Sequence, residues 1–194
     1  MNTLPDKVEQ FTKAQMLHDR KQNEERSKMT AEERAATPRR DYLKPCIADA
    51  DAGFGGITSV MKLTKLFIEA GAAGMHLEDQ KPGVKKCGHL GGKVLVSTRE
   101  HQTRLQSCRL QADIMGNDMV IVARTDSLDA QFIDNNIDPI DHPFIQGVVD
   151  PANPAVTKTF PVAGREAIAK TFKGQEAAQK LSIWNSSCLS LSLE

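Results

Sequence analysis

An α/β fold on parallel strands is what this sequence predicts, and three observations predict it. Strand-like and helix-like segments alternate three times between Cys46 and Arg124, the pattern made by parallel strands with right-handed crossovers. Met119-Val120-Ile121-Val122-Ala123 is a continuous apolar run, as strands in buried parallel sheets require. Ionisable residues also gather at each strand end: Asp49 and Asp51, then Glu78, then Arg124. Closed α/β barrels carry their active sites on that face.

The elements follow in order. Residues 1–44 read as a charged, exposed helical arm, in which Phe11, Ala14, Met16 and Leu17 are the one cluster fit to lie on another surface. Thr30-Ala31-Glu32-Glu33 has the form of a capping box, and Pro38 ends that helix. Residues 45–130 hold the βα units. Cys46 to Asp51 reads as a strand, whose alternation puts Asp49 and Asp51 on one face. A helix over Thr58–Ala70 follows, with Phe67 and Ile68 in the core and Gly71 as its stop. Gly74 to Asp79 is a second strand, with His76 and Glu78 on one face. Ser97-Thr98-Arg99-Glu100 is a second capping box. It opens a helix with Leu105, Cys108, Ala112 and Met115 on one stripe and Gly116 at its end, which makes Cys108 a core thiol. Residues 131–194 read as an insertion-like segment. It is turn-rich at 138–143 and 150–154, is one amphipathic helix over Gly164–Leu181, and carries one strand within the serine-rich end.

Composition excludes several classes. The 194 residues suit one domain with a sizeable core. Lys plus Arg and Asp plus Glu both number 25, so no bulk positive field recommends a nucleic-acid partner. No apolar run approaches the ~20 residues of a membrane helix. Neither a secretory signal nor a transit peptide is evident at the start. The cysteines at 46, 87, 108 and 188 form no CxxC pair, which fits reduced thiols and an intracellular setting. Mitochondrial matrix, glyoxysome or peroxisome, and cytoplasm are not distinguished.

Chemistry concentrates in Lys85-Lys86-Cys87-Gly88-His89-Leu90-Gly91-Gly92. One reading is a reactive loop, in which neighbouring cations favour a Cys87 thiolate able to act as base or nucleophile. The other is a surface loop with a solvated lysine pair. Asp49 and Asp51 repel unless a cation or proton intervenes, or else form an ordinary Asp-Gly turn. His76 reads more readily as structural than as a ligand. Arg124 is either paired with Asp126 or offered to an anionic ligand, since its planar fork suits carboxylates.

Four motifs in this order resemble the isocitrate lyase family: Ala48 to Gly56, His76 to Gln80, Lys85 to His89, and Val122 to Asp126. The Lys-Lys-Cys-Gly-His string is that family's signature. The resemblance covers roughly residues 6–150, and the later part is similar to an insertion of eukaryotic members. It implies a (β/α)8 barrel of the isocitrate lyase and phosphoenolpyruvate mutase type, only part of which is present. The implied reaction is Mg²⁺-dependent retro-aldol cleavage of a small tricarboxylic acid, with Mn²⁺ as the substitute ion. Isocitrate would give succinate and glyoxylate; 2-methylisocitrate would give succinate and pyruvate. The form Lys85-Lys86 favours isocitrate. On the family pattern Asp49 is the metal ligand, with Asp51 and Glu78 holding the metal's waters. Cys87 is the catalytic acid–base, with Lys85 beside it; His89 joins this catalytic set and also contacts substrate, as do Gly88 and Arg124. His76 lines the site. A homotetramer is implied for a full-length parent.

Two family motifs are absent: Ser-Gly-Trp, and Asn-Cys-Ser-Pro-Ser, which Trp184-Asn185-Ser186-Ser187-Cys188 does not match. With three clear strands, the expectation is a fragment or truncated product. An inactive remnant that packs with other subunits is the competing reading. A phosphate-binding barrel rests only on Gly53 to Gly56.

Overall fold

The computed structural model describes residues 2–145, 148–150, 153–158 and 160–190, with the backbone alone given for 148–150, 153–158, 160, 161 and 185–190. The chain divides into two compact units. One runs to Val96 and resumes over Glu100–Phe132; the other holds Ser97–Arg99 and the chain from Ile133 onward.

The first unit opens with α1 (Thr3–Ser27) and α2 (Ala31–Ala36). Helix-forming Lys, Arg, Glu, Gln, Leu, Ala and Met make up most of α1, and i,i+4 pairs such as Lys13–Glu9 at 2.6 Å support it. The predicted capping box is present: Thr30 Oγ1 accepts from Glu33 N at 3.2 Å, and Thr30 N donates to Glu33 Oε2 at 2.8 Å. The packing face of α1 differs from expectation. Phe11 and Met16 are exposed, while Pro5 and Val8 are buried and Val8 joins the core. The reason is geometric: Thr12, one turn beyond Val8, packs against Gly71 at the end of a neighbouring helix.

Strand β1 (Ile47–Asp49), helix α3 (Ile57–Glu69) and strand β2 (Gly74–Glu78) follow. Next come β3 (Lys93–Leu95), α4 (Thr98–Ile114) and β4 (Val120–Arg124). The sheet order is β1-β2-β4, both pairs parallel. The α/β class with parallel strands is therefore present. Two glycine stops act as predicted: Gly71 and Gly116 adopt φ +86° and +61°. The next amides close back on Phe67 O at 3.0 Å and Ala112 O at 2.9 Å, as a Schellman end requires. The core joins Val60, Leu63 and Phe67 of α3 to Met75 and Leu77 of β2 and Cys108 and Ala112 of α4, all fully buried. Each such large apolar side chain contributes about 1.5–3 kcal/mol of burial.

Side chains alternate across the sheet, so residues level in the parallel register share a face. Ala48, Met75 and Ile121 form one row, toward the helices. Asp49, His76 and Val122 form the next row on the opposite face, and Glu78 lies level with Arg124. That opposite face is open: Ile47, Val120 and Val122 are exposed. The apolar run of β4 is thus covered on one side only, against the two-sided burial its composition predicts. Strand β3 leaves this sheet and pairs with β5 (Ala130–Ile133), an element with too short an apolar pattern to be read beforehand.

In the second unit a 3₁₀ turn (Pro139–Phe144) supplies acceptors to the first amides of α4. Asp138 Oδ2 accepts from Arg99 N at 2.9 Å, and Asp141 Oδ2 accepts from Thr98 N at 3.1 Å. In the stretch read as turns at 150–154, Asp150 ends β6 (Val148–Asp150) and Asn153 and Pro154 open β7 (Asn153–Lys158), which pairs antiparallel with β6; residues 151–152 lie outside the described set. The single helix expected over Gly164–Leu181 is two, α5 (Phe160–Thr171) and α6 (Gly174–Ser190). The break falls at Gly174, whose φ of +57° is left-handed. The strand expected near the end is helical through Ser190; residues 191–194 lie outside the described set.

Candidate active site

The strand ends carry charge. Asp49 closes β1 and is half-exposed. Its Oδ1 accepts from Asp51 N at 2.8 Å and lies 3.6 Å from His76 Nδ1. Asp51 is not on the strand. It sits in the following turn at φ +49°, a left-handed conformation that short acidic side chains tolerate. Its carboxylate therefore reaches the site by a turn, not by the alternation expected from sequence. There it pairs with Lys85 Nζ.

Glu78 is fully buried at the end of β2. Lys85 Nζ stands 3.7 Å from its Oε1 and Arg124 Nη1 stands 3.3 Å from its Oε2. Burial pushes the Glu78 pKa up, and it stays raised although Lys85 and Arg124 pull it down. For Lys85, burial opposes the charge, but Asp51, Glu78 and Asp49 outweigh it and hold the ammonium above its ordinary value. Arg124 is bound on two sides, by Glu78 and by Asp126 at 3.4 Å from Nη2. It nonetheless keeps a third of its side chain exposed.

The loop after β2 brings Lys85 into this group. Gly88 passes over Arg124, where a Cβ would lie 4.0 Å from Nη2. Cys87 and His89 are exposed on the loop. Both ammonium groups that precede Cys87 are engaged elsewhere: Lys85 with Asp51 and Glu78, Lys86 with Gly91 O at 3.2 Å. Cys108 lies apart in the core, and burial raises its thiol pKa. The structure therefore brings Asp49, Asp51, His76, Glu78, Lys85 and Arg124 to one end of the sheet. It leaves Cys87 and His89 on the exposed loop above them.

Sequence reasoning assigned no role to a buried layer beneath this group. Asp79 accepts from Thr125 Oγ1 at 2.5 Å and from Asp126 N at 3.0 Å. Gln80 and Lys93 are fully buried. The one available signal was that Asp79 and Gln80 continue the His76-Leu77-Glu78 strand into the loop.

Carboxylates at the strand ends invite comparison with the needs of a divalent cation. Among the described residues no three His, Cys, Asp or Glu side chains cluster tightly enough to hold an ion by themselves. A Mg²⁺ site does not need that, because Mg²⁺ keeps several waters and takes one or two carboxylates. Both Glu78 oxygens are buried without a hydrogen bond, and metal-bound waters are the donors such acceptors lack. The residues fit a hydrated hard cation.

A model of the isocitrate lyase family matches residues 1–189 of this chain. Isocitrate lyase of Pinus taeda is 58% identical over 137 residues, covering 71% of this chain and 24% of that protein. The mitochondrial 2-methylisocitrate lyase of Hypocrea atroviridis is 52% identical over 176 residues, covering 91% of this chain and 29% of the relative. Isocitrate lyase of Saccharomyces cerevisiae is 47% identical over 187 residues, covering 95% and 33%. The chain spans about a quarter to a third of the length of these relatives.

Proposed function

The chain belongs to the isocitrate lyase family, and on that premise we propose that it carries the ionic half of a carbon–carbon lyase site that cleaves isocitrate to succinate and glyoxylate. The observation that carries this reading is the convergence of Asp49, Asp51, Glu78, Lys85 and Arg124 at the C-terminal ends of parallel strands. We read the three strands as one segment of a (β/α)8 barrel, whose open face would be closed by further strands.

Asp49 would hold a Mg²⁺ ion, with Asp51 and Glu78 accepting from its waters. Bound there, the ion stabilises negative charge on the substrate's hydroxyl and carboxylate oxygens. Arg124 offers its exposed nitrogens to a substrate carboxylate, which its planar fork fits. Gly88 and His89 stand on the loop that would cover that carboxylate. In a retro-aldol cleavage the substrate hydroxyl gives its proton to solvent, the adjacent carbon–carbon bond breaks, and glyoxylate leaves as the aldehyde. The electron pair stays on the succinate fragment, which takes a proton from Cys87. Lys85 sets the positive field around that developing charge.

A second reading has its own support, because a relative named 2-methylisocitrate lyase covers 91% of the chain. That substrate would release pyruvate. We place the whole protein as a homotetramer. No helix among the described residues is long and apolar enough to cross a membrane. The deciding experiment is an assay of the whole protein with both acids, with and without Mg²⁺. The same assay distinguishes a third reading, a remnant without turnover. Glyoxylate release supports the first reading, pyruvate the second, and no product from either acid the third.

A further inference from the structure

We propose that Gln80 and Asp126 are positioning residues that clamp the backbone of Lys86 and so fix the loop presenting Cys87. The proposal rests on the reading of Cys87 as the acid–base thiol. Gln80 is fully buried. Its Oε1 accepts from Lys86 N at 2.8 Å, and its Nε2 donates to Lys86 O at 3.0 Å. The first bond holds the peptide between Lys85 and Lys86; the second holds the peptide between Lys86 and Cys87. One side chain thus acts as a strand partner for a loop residue and fixes both neighbours at once.

The amide's orientation is itself set. The second hydrogen of Nε2 points to Asp126 Oδ2 at 2.7 Å. A flipped amide would face its oxygen toward that carboxylate and its NH₂ toward Lys86 N–H, losing all three bonds. Asp126 is in turn held by Asp79 through its backbone N, by Arg124, and by the buried ammonium of Lys93 at 3.4 Å. Burial works against the Asp126 carboxylate, but Gln80, Arg124 and Lys93 keep its pKa below the ordinary value. Arg124 and the loop therefore share one anchor. Neither residue needs to touch substrate, and each acts through the groups it holds.

The test is amide hydrogen exchange on the whole chain, read at Lys86 and across β2, alongside the rate of Cys87 alkylation. In Gln80→Met, which removes the acceptor of Lys86 N, Lys86 should exchange about tenfold faster or more. In Gln80→Glu an acceptor remains, but the bonds from Nε2 to Lys86 O and Asp126 are lost and two carboxylates face each other, so exchange should rise by less. Cys87 alkylation should change in the same variants, while β2 keeps its protection. Asp126→Asn retains an acceptor for Gln80 and should leave Lys86 within about threefold of the parent chain. Unchanged Lys86 exchange in both Gln80 variants overturns the proposal. So does equal loss of protection across β2, which would make Gln80 a core residue. Where the whole protein turns over, kcat should fall with KM little changed. Faster Lys86 exchange in a protein that releases neither glyoxylate nor pyruvate would leave the clamp standing and reject the lyase reading.

Discussion

Arg124 Nη1 stands 3.3 Å from Glu78 Oε2, and the two residues lie level in the parallel ladder of β2 and β4. The register alone makes them neighbours on one face. Glu78 is buried and Arg124 part-exposed, so the pair joins the closed floor of the site to its open side. Truncating Arg124 takes a partner from the buried Glu78, the costly outcome for buried pairs, whereas truncating Glu78 leaves Arg124 part-exposed and still paired with Asp126.

Glu78 should also tie stability to pH. Its folded-state pKa lies above the ordinary 4.5, chiefly through burial. The folded chain then keeps a proton that the unfolded chain has released. Stability from this group is full below the ordinary value and falls as pH rises through the folded-state value. Glu78→Gln should flatten that fall. Melting temperatures of both chains from acid to neutral pH check it, and an equally steep decline in the variant would contradict it.

Asp49→Asn should abolish Mg²⁺-dependent turnover in the whole protein, because an amide oxygen replaces the carboxylate proposed to meet the cation. The check is product release with added Mg²⁺ and after EDTA. Activity that survives EDTA in the parent protein would remove the metal from the mechanism.

Among the described cysteines, Cys87 is exposed and Cys108 fully buried with a raised pKa. Thiolate reactivity needs access and ionisation, and Cys108 has neither. Iodoacetamide should label Cys87 first, read by peptide mass mapping over time. Earlier labelling of Cys108, with activity lost, would reverse the roles.

Phe67 packs fully buried at the centre of the core between α3 and β2. Phe67→Ala should cost about 3–5 kcal/mol of stability, as large cavities in packed cores do. Urea unfolding measures it. A loss under about 1 kcal/mol would mean that the site collapses around the smaller side chain.

The open sheet face predicts association. Ile47 and Val120 are each 54% exposed, and β4 ends the described sheet. Such edges pair with other chains unless charged or covered. Residues 1–194 alone should sediment as oligomers or aggregate and show no lyase turnover, and Val122→Lys should reduce the association. A soluble monomer that turns over substrate would refute this.

What the sequence determined by itself is local. The Gly71 and Gly116 stops, the Thr30–Glu33 box and the three parallel strands with the two helices between them follow from backbone preference and side-chain period, which act within a few residues; the third strand is followed by β5 and not by a helix. Asp49, Glu78 and Arg124 were legible because strand ends can be counted. The break between α5 and α6 at Gly174 was also local, but one glycine in a helical pattern does not announce a left-handed turn. Tertiary structure decided the rest. Asp51 reaches the site through a left-handed turn, Val8 and not Phe11 meets the core, and Gln80 finds Asp126 across 46 residues of chain. These contacts depend on how the units pack, and no periodicity records which distant carboxylate a buried amide will meet once loop closure and desolvation are balanced.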